Sequence, residues 1–277
     1  MHFSPVIVFF AALAPSCILA APTKTTDFQR RTNARRAPSS SSSSLSDDTF
    51  DISALSQIWQ QASSCDISSV TMPLSDASSP TSLPSPSSGL VLSHVAVGRG
   101  TQNYTCSGLA ATETPKAVGA VATLFNATCA AANSPSLLYD TPAIALQYDI
   151  PTAASALEAY SILLSGHHYF TNTTTPFFNL DTADHTWGVM AGKKEASVKA
   201  PSTGAGAAAV KKLADDGVDG TENGSCAWLQ LAALDEPGLA WKEVYRLNTA
   251  GGNAPDTCEG IDGDFEVQYA ATYWFWS

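Results

Sequence analysis

Positive charge is scarce in this chain. Lysine and arginine make up 14 of 277 residues against 25 aspartates and glutamates, a formal charge of −11. No basic stripe is available to displace counterions from a phosphate backbone, which excludes a nucleic-acid binder. Long hydrophobic runs are missing too. The one near-continuous apolar stretch lies at the N-terminus and is too short to span a bilayer. There is no Cys-x-x-Cys, no His/Cys cluster, no Gly-x-Ser-x-Gly elbow and no His-Glu-x-x-His. The usual sequence marks of a zinc site, a serine hydrolase and a metalloprotease are therefore lacking.

A nucleotide site is lacking as well. Gly98-Arg-Gly100-Thr-Gln-Asn103 has no third small residue and leads into a strand, Asn103-Tyr-Thr-Cys106. Gly204-Ala-Gly206-Ala-Ala-Ala209 precedes a helical turn, Val210 to Leu213, but sits in a low-complexity stretch. The dinucleotide fingerprint works only where a helix N-terminus inside a βαβ unit points at pyrophosphate. No cofactor is expected. The acidic run Asp215-Asp-Gly-Val-Asp219-Gly-Thr-Glu222 imitates a calcium loop, but Gly217 takes a ligand position and Cys226 stands where the bidentate glutamate belongs. It reads as a solvated acidic loop.

What is present points to export. Residues 1–21 carry an apolar core (Val6 to Phe10, Leu13, Ile18-Leu19) closed by Ala20-Ala21, the pattern of a secretory signal. Residues 22–50 form a basic, Ser-rich pro-segment or linker, with Arg30-Arg31 and Arg35-Arg36 either a processing site or an unprocessed basic tail. Loss of residues 1–36 would leave 9 basic against 24 acidic groups, a charge near −15. Residues 51–88 hold a short helix, Asp51 to Ala62, followed by a Ser/Pro-rich tether, Pro73 to Ser88. Residues 89–277 form a β-rich domain. The expected location is extracellular.

Five cysteines remain after the signal. In a secreted chain these are read as disulfides: Cys106 with Cys129, because they bracket neighbouring strands, and Cys65 with Cys258. Cys226, in an apolar run, is read as a buried free thiol. Four sequons, at Asn103, Asn126, Asn172 and Asn223, are candidate glycan sites. Asn103 and Asn126 lie close to cysteines, which lowers their expected occupancy.

From Gly89 onward the hydrophobic period is mostly two. Phe265, Val267, Tyr269, Ala271, Tyr273 and Phe275 share one face of a long final strand. Trp241, Tyr245 and Leu247 alternate with Lys242, Arg246 and Asn248 in another. Further strands are predicted at Leu90–Val97, Gln102–Cys106, Lys116–Phe125, Ala143–Tyr148, His167–Thr171, Val189–Val198 and Cys226–Leu234. Turns are predicted at Gly98–Gly100, Gly251–Asn253 and Asp262-Gly263. Only Pro151–Ser165 reads as helical, with Ser155 and Glu158 as a capping box. Ala200–Gly224 reads as a long surface insertion. The fold class is all-β with minor α, an antiparallel sandwich or barrel.

The residues with chemistry to offer are few. His167 and His168 are adjacent on a strand and so face opposite ways. One of them, with His94 or Asp184, can make a metal or acid/base site. Arg99 and Arg246 are rare cations in an acidic body, able to clamp a carboxylate but more readily paired with internal acids. Trp274 or Trp276, if exposed, can stack on sugars.

Several blocks carry a resemblance: Val97-Gly-Arg-Gly-Thr-Gln-Asn-Tyr-Thr-Cys106, Val118 to Phe125, Gly166-His-His-Tyr-Phe170, Trp228-Leu-Gln-Leu231, Tyr245-Arg-Leu-Asn-Thr-Ala-Gly-Gly-Asn-Ala-Pro255 and Tyr269 to Phe275. From about Cys65 onward the chain resembles a family of exported fungal and bacterial proteins of unknown function. Its fungal members often carry the label "malate dehydrogenase", an activity that no nucleotide fingerprint in this sequence supports. The resemblance implies no catalytic residues. The sequence therefore predicts a secreted, disulfide-stabilised, glycosylated β-domain that binds a ligand or an extracellular surface, either cell-wall glycan or a host component. The alternative is an extracellular enzyme built around His94 and His167 or His168, with or without a metal.

Overall fold

The computed structural model describes residues 65–75, 82–148 and 163–277, all within one unit spanning Thr49–Ser277. Eight strands among them close into an antiparallel barrel: β1 (Leu92–Cys106), β2 (Lys116–Asn126), β3 (Leu164–Phe170), β4 (Pro176–Asp181), β5 (Thr186–Val198), β6 (Trp228–Ala233), β7 (Glu243–Gly251) and β8 (Gly263–Trp276). Each strand pairs with its neighbour in sequence, and β8 returns to β1 from Cys106↔Gly263 to Leu92↔Trp276. Closure leaves no sheet edge unpaired. Three short helices accompany it among the described residues: α1 (Thr128–Asn133), α2 (Pro135–Leu146) and α3 (Gly204–Asp215). No described helix is long and apolar enough to cross a membrane.

Alternation sorts the side chains into two cores. Inward residues Ala96, Leu124, Phe178, Leu180, Met190, Leu231, Val244, Ala271, Tyr273 and Phe275 fill one end of the lumen. Their outward neighbours Val95, Val97, Tyr245, Leu247 and Trp274 form a second core beneath Met72, Leu83 and the α1–α2 pair. Strands β1, β7 and β8 are thus buried on both faces. The stretch Leu83–Ser87 crosses this outer face as a strap: Ser87 donates its N–H and hydroxyl to the buried Glu243 carboxylate, and Tyr245 Oη donates to the Pro84 carbonyl at 3.2 Å.

Several expectations are corrected. Gly98 and Gly100 make no turn; they lie within β1, which is continuous through them. A Cβ on Gly100 would sit 1.8 Å from the Val121 carbonyl, so the glycine is required by close strand approach. Ala143–Tyr148 is no strand. Its first four residues end α2, which Pro135 opens at a first-turn position. Strand β4 is absent from the predicted elements. Within Ala200–Gly224, α3 buries Val210 and Leu213 against Ala143 and Leu146 of α2. The predicted helices at 51–62 and 151–165 fall outside the described residues up to position 162; Leu164 and Ser165 belong to β3.

The disulfides join Cys65 to Cys129 and Cys106 to Cys258, exchanging the expected partners. The reason is the hairpin. Asn126 at the end of β2 pairs with Ala96 of β1, so Cys129 lies some ten residues of strand, about 34 Å, away from Cys106. Cys106 instead meets the β7–β8 loop beside Gly263, and Cys129 on α1 ties down the segment leading to the strap. Cys226 is a buried free thiol, as expected.

Candidate functional site

One end of the lumen is plugged and the other is not. At the plugged end His94 is wedged among Trp187, Trp241 and Phe275, with ring centroids 4.5, 6.3 and 5.7 Å away. Toward the other end, where β1 finishes and β2 begins, the interior opens into a cavity of about 520 Å³. Alternation along β7 sends Arg246 inward between its register partners Leu229 of β6 and Tyr273 of β8. Gln102 of β1, His168 of β3 and Cys226, two residues before β6, line the same space, with Phe170, Pro176, Leu229 and Leu231 as apolar wall. Tyr104, Asn253, Thr173, Thr174 and Lys194 also contribute to the lining.

Arg246 is 7% exposed. Its Nη1 donates to Gln102 Oε1 at 3.1 Å and its Nη2 to the Ala227 carbonyl at 2.8 Å, while Nε is buried with no acceptor. Its guanidinium carbon lies 5.9 Å from the Tyr269 ring centroid. No carboxylate among the described residues pairs with it; the ion pairs there are Lys193–Glu195, Lys211–Asp215 and Lys212–Asp216 at the surface. Burial opposes the charge, the ionised forms of Cys226, Tyr273, Tyr269 and Tyr104 would favour it, and the net pKa is raised. A guanidinium keeps its proton even when buried.

The surrounding groups stay neutral. Burial pushes Tyr104 and Tyr273 up to about 12 and raises the Cys226 thiol, despite Arg246 nearby. Tyr269 and Tyr273 join their hydroxyls at 2.7 Å, and Tyr104 Oη donates to the Gly252 carbonyl at 2.7 Å. Gly252, at φ +84°, brings backbone against Tyr269, Gln102 and Cys226, where a Cβ would lie 2.6 to 3.2 Å from their atoms. His168 stacks on Phe178 with centroids 4.3 Å apart. Its pKa falls to about 4, chiefly through burial, which outweighs the opposing hydrogen bond to the Phe177 carbonyl and is assisted by Arg246. Since its Nδ1 lies 3.0 Å from the Phe177 carbonyl, which can only accept, Nδ1 carries the hydrogen and Nε2 the lone pair.

The other sequence candidates are dispersed. His94 sits at the plug, 2.8 Å from Ser165 Oγ through Nε2 and 3.1 Å from Thr128 Oγ1 through Nδ1, its pKa lowered by burial to about 3. His167 is exposed on the outer face of β3, and Asp184 lies in the β4–β5 turn. Among the described residues no group of three or more His, Cys, Asp or Glu is placed to hold a metal. Arg99 faces outward under α2, donating to the carbonyls of Ala145, Tyr148, Gly100 and Tyr269 and to Gln268 Oε1, so it caps a helix C-terminus. Arg246 does not take the internal acid partner expected of it among the described residues. Trp274 is buried and Trp276 half-buried, so neither offers a sugar platform. Asn172 and Asn223 are exposed, whereas Asn103 and Asn126 are half-buried.

Gln102 and the three tyrosines are site residues that the sequence reading did not single out. Their signal is the strand alternation: Gln102 shares the inward parity of β1 with Ala96 and Gly98, a polar residue among small ones.

A family model described as "Protein of unknown function (DUF3455)" matches residues 86–277. No curated protein and no solved structure matches the chain.

Proposed function

We propose, for a chain that belongs to the DUF3455 family, that the barrel is a binding protein for a small organic acid, its carboxylate seated on Arg246 inside the lumen. Fold alone does not imply function; the reading rests on the site. The observation that carries it is a buried arginine with an unpartnered Nε–H and, among the described residues, no acid partner, beside a cavity, in a protein of formal charge −11. An isolated buried charge is costly, and the fork geometry of guanidinium matches a carboxylate. The apolar wall suits a hydrocarbon or aromatic body, since ligand cavities combine apolar lining with a few placed polar groups. Two disulfides suit an exported carrier, with residues 1–21 as its signal and Asn172 and Asn223 as its glycan sites. This reading moves binding from the outer surface to the interior.

Calorimetric titration with phenylacetate and its neutral isostere phenylacetamide at pH 7 tests the reading. The acid is expected to bind at least tenfold more tightly, and Arg246→Met to abolish that preference while the near-UV spectrum of the fold persists. Equal binding of acid and amide, or an unchanged preference in the variant, overturns it.

A further inference from the structure

The cavity offers more than a cation. Gln102 Oε1 is held by Arg246, which turns Gln102 Nε2 away, and that nitrogen is buried without a partner. Two neighbouring side chains therefore carry unused N–H donors, Arg246 and Gln102. Across the same space His168, 3% exposed, presents the opposite need. Its Nδ1–H is spent on the Phe177 carbonyl, and no described residue donates to Nε2. The ring is held by stacking on Phe178 and by its tilted contacts with Phe170 and Tyr273, at 5.6 and 5.9 Å. It cannot turn its lone pair elsewhere without breaking that packing.

A plain carboxylate answers the donors and leaves the acceptor bare. We infer that the acid bound here also carries a hydroxyl, which donates to His168 Nε2 while the carboxylate accepts from Arg246. The inference rests on the acid-binding reading and names its substrate class: a hydroxylated monocarboxylic acid with an apolar or aromatic body. A dicarboxylate fits less well, because the only other cation in the lining is Lys194, which is solvent-exposed. No tyrosine hydroxyl serves Nε2 in the ligand's stead among the described residues: Tyr104 donates to Gly252, and Tyr273 is hydrogen-bonded to Tyr269 and not to His168. A site built to hydrogen-bond a hydroxyl rejects the analogue that lacks it, because its own buried group is then left unpaired.

The test is calorimetric titration of the full mature protein at pH 7 with phenylacetate, its 2-, 3- and 4-hydroxy derivatives and the three corresponding methyl ethers. All seven acids carry one negative charge, so the contribution of Arg246 is held constant. At least one hydroxyphenylacetate is expected to bind about tenfold or more tightly than both the parent acid and its own methyl ether. His168→Phe is expected to reduce that preference, taken as the ratio of the two affinities within the same variant, to twofold or less. His168→Gln, which retains an acceptor, is expected to keep part of the preference. The wild-type comparison needs no variant, so a His168→Phe chain that fails to fold does not blunt the test. If phenylacetate outcompetes its amide but no hydroxyl improves binding, this inference falls and the acid-binding reading stands. If the preference survives in His168→Phe, the histidine assignment is wrong. If none of the seven acids binds, both fall.

Discussion

Two histidines are held neutral inside the barrel, and the consequence is a defined acid sensitivity. Burial lowers His94 to about 3 and His168 to about 4, against an ordinary value of 6.5. Between pH 6.5 and 4 the unfolded chain takes up protons that the folded chain refuses. Stability is therefore complete above pH 6.5 and falls as the pH drops through that window, by about 3 kcal/mol per histidine at the acid end. The Tm of the wild type is expected to fall between pH 7 and pH 5, and that of His168→Phe to fall less over the same interval. Equal slopes in the two proteins would show that His168 is not buried neutral. His168 was visible in the sequence as one of two adjacent histidines on a strand, but not which of them faces inward. That choice is made by the register: His168 lies opposite Ala122 and Phe178, both buried inward, whereas His167 lies opposite Thr123 and Asn179 on the outer face.

At the level of elements, the disulfides act on different parts of the architecture. Cys106–Cys258 closes a sequence separation of 152 residues and fastens the β7–β8 loop to the end of β1. Cys65–Cys129 closes 64 residues and fastens the segment that leads into the strap. On loop-entropy grounds removal of the first should cost about 5 kcal/mol and of the second about 4. Denaturant unfolding of Cys106→Ala/Cys258→Ala and Cys65→Ala/Cys129→Ala checks both figures. The second variant alone is also expected to raise the exposure of Trp274, read by fluorescence quenching, because the strap covers its outer face. Cysteine positions gave no guide to this pairing, since it depends on how far along each strand the chain has travelled. Element type was more legible. Six of the eight strands follow from period-two runs, and a seventh, β1, was recognised in two pieces divided by Gly98 and Gly100. The division arose because a glycine needed for close strand approach and a glycine needed for a turn look alike in sequence. Strand β4 escapes the period-two pattern because Pro176-Phe-Phe-Asn-Leu-Asp181 shows weak alternation and begins with proline. Ala143–Tyr148 resembles a strand because a helix packed by alanines carries little periodic contrast.

Over the whole molecule, double burial of β7 explains why Arg246 was hard to place. Its alternation with Tyr245 and Leu247 resembles a strand with one wet face, yet every residue of β7 is buried, the apolar side by the strap and helices and the polar side by the lumen. The barrel thus holds in its well-protected interior a charge whose partners among the described residues are all neutral groups. Unliganded, that charge is a liability: Arg246→Met should raise Tm in the absence of any acid, since replacing an unpaired buried ion with an apolar side chain of similar reach relieves desolvation. Liganded, the order should reverse. An acid bound only by the folded state adds RT ln(1 + [L]/Kd), about 2.7 kcal/mol at a hundredfold excess over Kd. In a domain of this size that raises Tm by roughly 5–10 °C. Thermal unfolding of both proteins, with and without the tightest hydroxyphenylacetate, reads the two effects together. The wild type should gain stability with ligand and the variant should not, whatever its starting Tm. A ligand-dependent rise of equal size in Arg246→Met would place the bound acid somewhere other than on this arginine.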